Sequence, residues 1–250
     1  MITDHPSPRY AVIIPARDEE QTIGKCLRRI SDSARLAGVP LEIIVVLNRC
    51  SDRTEEIARA HGARIAREDA RNLSIIRNAG ARETTADVLV FIDADSVAHT
   101  KTFTRIKHEL AQGAVGGGCL ILPERWSLGI LLTGLCLLPI ALRNLIGGGL
   151  FFCRKVDFDL IEGFDEKLSS AEDIDFAKRL KAHGARTGRP FRILLAEYIV
   201  TSCRKFDRLG DWYFVTHPFK MLTLLKGRNQ SAADEIWYDF PREPQDRGES

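Results

Sequence analysis

Val88-Leu89-Val90-Phe91-Ile92-Asp93-Ala94-Asp95 is an apolar run closed by two carboxylates. Val, Ile and Phe in a short run favour a buried strand. Side chains two apart on a strand point the same way, so Asp93 and Asp95 are expected to face one point. In a parallel sheet that point lies at the carboxyl ends of the strands, where such folds bind ligands. Two hard oxygen ligands there suit Mg²⁺ or Mn²⁺, an ion able to neutralise a diphosphate. A polar turn after a strand is the plainer reading of the same residues.

Upstream, strand and helix signals alternate. Tyr10 to Ile14 reads as a strand and Pro15 to Glu19 as a polar turn. Glu20 to Leu36 has helical spacing, with Gly38 as its stop. Leu41 to Leu47 is a second apolar strand. Asp52 is placed to cap a helix reaching His61, and Ala63 to Ala66 reads as a short strand. Asn72 to Glu83 and Lys101 to Gln112 read as helices. This alternation predicts an α/β fold, a mainly parallel central sheet with helices on both faces. Downstream the pattern is less regular. Ala114 to Leu122, Leu150 to Cys153 and Ile193 to Val200 read as strands, and Ser169 to His183 as a helix opened by Ser169 and closed by Gly184.

The chain has 250 residues, 44% hydrophobic and 28% charged, enough for one large α/β domain. A net charge of +2 gives no case for a nucleic-acid partner. Six scattered cysteines without a C-x-x-C pair read as reduced thiols of a cytoplasmic protein, and Met1 to Arg9 carries no secretory pattern. Leu128 to Leu142, LGILLTGLCLLPIAL, is uncharged but short of the roughly 20 residues of a spanning helix, and Pro139 interrupts it. It reads either as a buried apolar segment or as a surface helix touching the inner face of a membrane beside a lipid-linked acceptor. No G-x-G-x-x-G follows the first strand and no G-x-x-x-x-G-K-[ST] occurs, which argues against a nicotinamide enzyme and a P-loop.

Five pieces, VIIPARDEE, VVLNRCSDRT, IRNAGARETTADVLVFIDADS, GGGLFFCRKVDFDLIEGFDE and AEDIDFAKRLKAHG, appear in the order found in family 2 glycosyltransferases of the GT-A fold. The chain resembles that family over residues 10 to about 184. The resemblance implies a metal-dependent, inverting transfer of a sugar from a nucleoside diphosphate sugar to a hydroxyl. It implies one GT-A-like domain over residues 1–240, with 10–122 the nucleotide-binding half, 123–240 the acceptor side, and 241–250 a flexible tail.

Carried over position by position, the resemblance puts Pro15, Ala16, Arg17 and Glu19 in the loop under the nucleotide base, with Asp18 where Asn is usual. Leu47-Asn48 replace two acidic residues of the family's next loop, while Asp52 and Thr54 match. Asn48 keeps an acceptor and adds donors, so uridine does not follow from it. Arg77 is expected to offer charge to the diphosphate. Asp93, Ala94, Gly148 and Gly149 join the donor site, the glycines allowing close backbone approach to sugar or acceptor. Asp93 and Asp95 are the implied metal ligands, with His217 a candidate third. Asp173, beside Glu172, matches the carboxylate that takes the acceptor's proton. Acids in a helix's first turn are also favoured by the dipole alone. Arg204-Lys205 is placed to meet phosphate or to lie exposed. The family's Q-x-x-R-W signature of processive members is absent from the sequence, against a polymer synthase.

Two other readings stay open. Phe91-Ile-Asp93-Ala-Asp95-Ser-Val97 also fits the nucleophile strand of a haloacid dehalogenase-type phosphatase, although that class puts it on the first strand. A non-catalytic domain that kept the fold is the other. The acceptor, whether glycan, lipid-linked or small alcohol, is not written in the sequence.

Overall fold

In the computed structural model, residues 8–144, 148–231 and 234 are described. The described strands are β1 (Tyr10–Ala16), β2 (Leu41–Leu47), β3 (Arg64–Arg67), β4 (Val88–Ile92), β5 (Ser96–Ala98), β6 (Gly116–Pro123), β7 (Gly148–Arg154) and β8 (Phe191–Thr201). They form one sheet in the order β3-β2-β1-β4-β7-β6-β8-β5. From β3 to β4 every pairing is parallel. Beyond β4 the sheet is mixed: β4–β7, β6–β7 and β5–β8 are antiparallel, and β6–β8 is parallel.

The helices are α1 (Ile23–Ala37), α2 (Thr54–Ala60), α3 (Leu73–Arg82), α4 (Thr102–Ala111), α5 (Leu128–Asn144), α6 (Lys155–Leu160), α7 (Glu172–Arg186), α8 (Arg204–Leu209), α9 (Tyr213–Thr216) and α10 (Pro218–Leu225). Helices cover both faces of the sheet, which explains why its central strands are apolar throughout rather than alternating. Val88, Val90 and Ile92 face one core with Leu27 and Ile30 of α1 and Phe103 and Ile106 of α4. Leu89 and Phe91 face the other, with Ile76 of α3, Phe158 of α6 and Phe176 of α7. Gly80 lets α3 lie close to the sheet: a Cβ there would sit 2.4 Å from Ile13 Cγ2.

The second core is aromatic. Phe164 stacks on Phe176 with centroids 4.3 Å apart, and Phe91 meets Phe164 edge-on at 5.0 Å. Each such pair contributes about 1 kcal/mol beyond its buried area. This cluster is the floor beneath the end of β4.

The structure revises the sequence reading at several points. β5 was not foreseen; its three residues are held by Ser96, Val97 and Ala98 pairing with Thr201, Val200 and Ile199. Helix α7 starts at Glu172, not at Ser169, because Ala171 adopts a left-handed conformation at φ 54°. Ser169 and Ser170 instead bond Gly227 and Leu224 through Ser169 N–H to Gly227 O at 2.8 Å and Ser170 Oγ to Leu224 O at 2.7 Å. Gly184 does not end α7, which runs to Arg186. Leu128–Asn144 is one helix with Pro139 inside it, and several of its leucines are exposed, against the buried one of its two expected readings. None of the described helices is long and apolar enough to cross a membrane. All six cysteines are free. The expected tail, 241–250, lies outside the described residues.

Candidate functional site

The residues after β1, β2 and β4 come to the same edge of the sheet because those strands are parallel. After β1, Pro15 and Ala16 finish the strand, and Arg17 and Asp18 turn the chain at a positive φ of 47° for Asp18. Glu19 is buried, its backbone N–H donating to Thr54 Oγ1 at 2.7 Å.

The first two loops lock each other through carboxylates. Asp18 Oδ1 accepts from the backbone N–H of Ser51 at 2.6 Å. Asp52 Oδ2 accepts from the Glu20 N–H at 3.0 Å, and its Oδ1 accepts from the Thr54 N–H at 3.0 Å. Asp52 thus does bond the first turn of α2, as expected of it, but from one position before the observed N-cap, Arg53. Asn48 is buried and its amide donates to Glu68 O at 2.5 Å and Ala70 O at 2.9 Å. Those two bonds fix its orientation and consume the donors it adds over an aspartate, leaving its carbonyl oxygen without a protein partner.

After β4 the strand does not continue. Ala94 and Asp95 form a turn into β5, closed by the Ser96 N–H on Asp93 O at 3.0 Å. The strand alternation that predicted a shared direction for Asp93 and Asp95 therefore stops at Ile92, and each carboxylate meets its own cation. Asp93 Oδ1 accepts from Arg77 Nη2 at 2.9 Å. Asp95 Oδ2 lies 3.6 Å from Arg204 Nη2, and Arg204 also donates to Glu19 Oε1 at 2.6 Å. Burial, followed by the charges of Asp93 and Glu19, pushes the Asp95 carboxyl up to about 6. The negative charges of Asp93 and Glu19 are thus both felt at Asp95.

Arg77 was expected to present its charge to a diphosphate. Instead it is almost fully buried, with Nη1 on Glu172 Oε1 at 2.8 Å and its guanidinium 5.2 Å above the Phe164 ring. It joins the turn after β4 to the first turn of α7. Asp173 follows Glu172, half-buried, with Oδ1 accepting from the Ile174 N–H at 2.7 Å. Burial and then the adjacent Glu172 push the Asp173 carboxyl above the ordinary carboxylate range. A carboxylate raised in this way is a stronger proton acceptor once ionised.

Other expected residues fall elsewhere. His217 lies exposed between α9 and α10, stacked on Tyr213 at 4.5 Å, and none of its described contacts reaches Asp93 or Asp95. Gly149 has φ 66°, a conformation that favours glycine, and a Cβ there would also meet Ile199 and Ile121 side chains at 2.6 and 2.9 Å. Gly148 begins β7 beside it. Arg204, expected to meet phosphate or to lie exposed, makes a contact that spacing could not find: it lies 185 residues from Glu19 and is delivered by the far end of β8.

Among the described residues, the tightest metal-sized group is Asp18, Cys50 and Asp52. Backbone donors already occupy its carboxylates. Burial and the Asp52 charge push the Cys50 thiol up to about 11, so it is protonated and a poor ligand at neutral pH. That group locks two loops.

A half-parallel sheet with helices on both faces, and acidic turns collected at its strand ends, is the GT-A type of α/β fold, as in nucleotide-diphospho-sugar transferases. Over residues 11–123 the chain matches glycosyl transferase family 2. It is 37% identical over 92 residues to a 4,4'-diaponeurosporenoate glycosyltransferase of Staphylococcus haemolyticus, a stretch covering 34% of this chain and 24% of that protein. It is 33% identical over 104 residues to glycosyltransferase AglE of Haloferax volcanii, covering 39% of this chain and 34% of that one. The matched stretches thus span about a quarter to a third of those relatives' lengths. Among solved structures, the mannosyltransferase PcManGT of Pyrobaculum calidifontis, in complex with GDP-Man and Mn²⁺, superposes with a TM-score of 0.64 at 18% identity, covering 88% of this chain and 63% of that one. S. aureus TarS in complex with UDP-GlcNAc gives 0.61 at 14% identity, covering 91% and 70%. Glucosyl-3-phosphoglycerate synthase from Mycobacterium tuberculosis, with Mn²⁺ and UDP, gives 0.59 at 19%, covering 90% and 82%.

Proposed function

We propose that the chain transfers a sugar, with inversion, from a nucleoside diphosphate sugar to a hydroxyl acceptor, with Mg²⁺ or Mn²⁺ at Asp93 and Asp95. The observation that carries this reading is Arg77 held between Asp93 and Glu172, which ties the acidic turn after β4 to the helix bearing Asp173. That arrangement sets a donor side and a base side at a fixed separation. The GT-A likeness to proteins solved with GDP-Man, UDP and UDP-GlcNAc supports a nucleotide-sugar donor.

The carboxylates of Asp93 and Asp95 would hold the cation, whose chemistry there is neutralisation of the diphosphate's charge. Arg204 adds a cation of the protein's own beside Asp95. The loop after β1 and Asn48 form the base side of the donor pocket. Asp173 removes the acceptor's proton as its oxygen bonds the anomeric carbon and the bond to the diphosphate breaks, the electron pair leaving with the nucleoside diphosphate. Attack opposite the leaving group inverts the configuration. Arg77 orients both sides and stays clear of the phosphates.

The phosphatase alternative lacks support: Asp93 follows the fourth strand in sequence, and the family match covers the loops it would leave unexplained. The test is a thermal-shift panel of UDP-, GDP- and dTDP-sugars with and without Mn²⁺. A ligand at 100 times its Kd adds about 2.7 kcal/mol of stability. One nucleotide class should raise Tm in a Mn²⁺-dependent way; no shift with any class contradicts the proposal.

A further inference from the structure

Helix α5 carries a stripe that the sheet does not cover. Leu128, Leu131, Leu135 and Leu138 are 61, 45, 51 and 45% exposed. Their 3-4-3 spacing puts them on one face. Ile130 and Thr133, buried, mark the opposite face, and Gly129 seats the helix against the backbone of Asp211, where a Cβ would come within 2.4 Å of the carbonyl oxygen. The stripe is continued by neighbours that are equally uncovered. Trp126 precedes the helix at 62% exposure, Trp212 precedes α9 at 48%, and Phe219 and Leu222 stand out from α10.

The charge around this apolar set is one-sided. Residues 124–144 and 204–228 hold eight Lys and Arg against three acids, a net +5 in a chain whose total is +2. Two of the three acids, Asp207 and Asp211, are engaged by Arg125, which reaches Asp207 through Nε at 3.0 Å and Asp211 through Nη1 at 3.0 Å. The third, Glu124, accepts from the Cys203 N–H at 2.9 Å. Lys205, Arg208, Lys226 and Arg228 of the second segment are exposed. Leucine and tryptophan on one face with Lys and Arg beside it is the composition of a helix lying in a membrane interface. Protein–protein interfaces, by contrast, are depleted of Lys at their centre.

We propose that α5, with α9 packed on it, α10 packed on α9 and α8 tied to it through Arg125, is a docking surface for an anionic lipid bilayer. The leucine stripe and Trp126 enter the headgroup boundary, and the surrounding cations meet the negative surface. The helix lies in the interface and does not cross it, in keeping with its length of 17 residues and with Pro139. Arg125 makes the surface one unit with α8, whose first residue, Arg204, contacts Glu19 and lies beside Asp95. The docked face and the candidate site are therefore mechanically joined. The inference stands on exposure and charge and does not depend on the donor chemistry proposed above.

The full chain would be floated with vesicles of phosphatidylcholine alone and of phosphatidylcholine with phosphatidylglycerol, following tryptophan emission in parallel. The expected result is flotation with the anionic vesicles, about tenfold weaker on neutral ones and at high salt, with a blue shift of the emission. Leu131→Glu combined with Leu135→Glu should abolish flotation. Lys226→Gln with Arg228→Gln, both exposed, should weaken it at least severalfold with an unchanged thermal melt, and this pair decides the matter should the leucine variant fail to fold. Protein remaining in the aqueous fraction with both vesicles overturns the proposal. So does equal binding to neutral and anionic vesicles, or a stable dimer that the leucine variant converts to monomer, which would assign the face to a second copy of the chain.

Discussion

Arg77 and Glu172 lie 95 residues apart in sequence, yet Arg77 Nη1 donates to Glu172 Oε1 at 2.8 Å inside the protein. The same guanidinium holds Asp93 at 2.9 Å. One buried cation thus fixes the turn after β4 against the first turn of α7, above the stacked rings of Phe164 and Phe176.

Replacing Arg77 by Met leaves Glu172, about 10% exposed at its side chain, without a counter-charge. Breaking a buried pair by removing one partner costs about 3–5 kcal/mol. The low end is expected, because Asp93 is 39% exposed and water compensates it. Urea unfolding reads the loss directly. A cost under about 1 kcal/mol, the range of a surface pair, would mean that the contact is not the strut described.

Asp95 gives a prediction of opposite sign. Its folded carboxyl is raised to about 6 against an ordinary 3.8. Between those two values the folded state binds more protons than the unfolded, so this group lowers stability as pH rises through the window. Two pH units correspond to about 3 kcal/mol as an upper figure. Metal-free Asp95→Asn should therefore be more stable than the parent at pH 7, the gap closing towards pH 4, and it should lose any Mn²⁺-induced rise in Tm. Paired calorimetric melts across pH 4–7 check both halves; a less stable variant at pH 7 sinks the account of Asp95.

For Asp173 the raised carboxyl must be ionised to accept a proton. The acid limb of kcat/KM should therefore lie above the usual Asp range, falling about tenfold per pH unit below it. Asp173→Asn should remove transfer while keeping donor binding. A pH profile that stays flat down to the ordinary carboxylate range assigns the proton to another group.

Arg204→Gln should raise the donor KM more than it lowers kcat, since Arg204 lies beside Asp95 and Glu19 and has no described contact with Asp173. Steady-state kinetics separate the two. Gly149→Ala tests packing instead: positive φ and the Ile199 contact together are expected to cost about 2–3 kcal/mol.

The parallel half of the fold was legible because each of its strands is an apolar run followed by turn chemistry and a periodic helix. Asp93 stood out from those runs alone, whereas Asn48 and Asp173 were singled out only through the family resemblance. What escaped depends on contacts distant in sequence. Arg204 meets Glu19 through β8, whose role in the site no local spacing records. The three residues of β5 are too short for a periodic signal and exist as a strand by pairing with β8. The start of α7 was misplaced because Ser169 offers capping chemistry, but Ala171 breaks the helical path. The choice between a buried and a surface α5 was illegible since an evenly apolar stretch has no face until the fold covers one side.

The most direct test is the anomalous signal of Mn²⁺ in crystals grown with a nucleoside diphosphate. The account predicts one peak within coordination distance of the Asp95 carboxylate, with the diphosphate against it. A peak at Asp18, Cys50 and Asp52 instead, or nucleotide bound elsewhere with the turn after β4 bare, contradicts it.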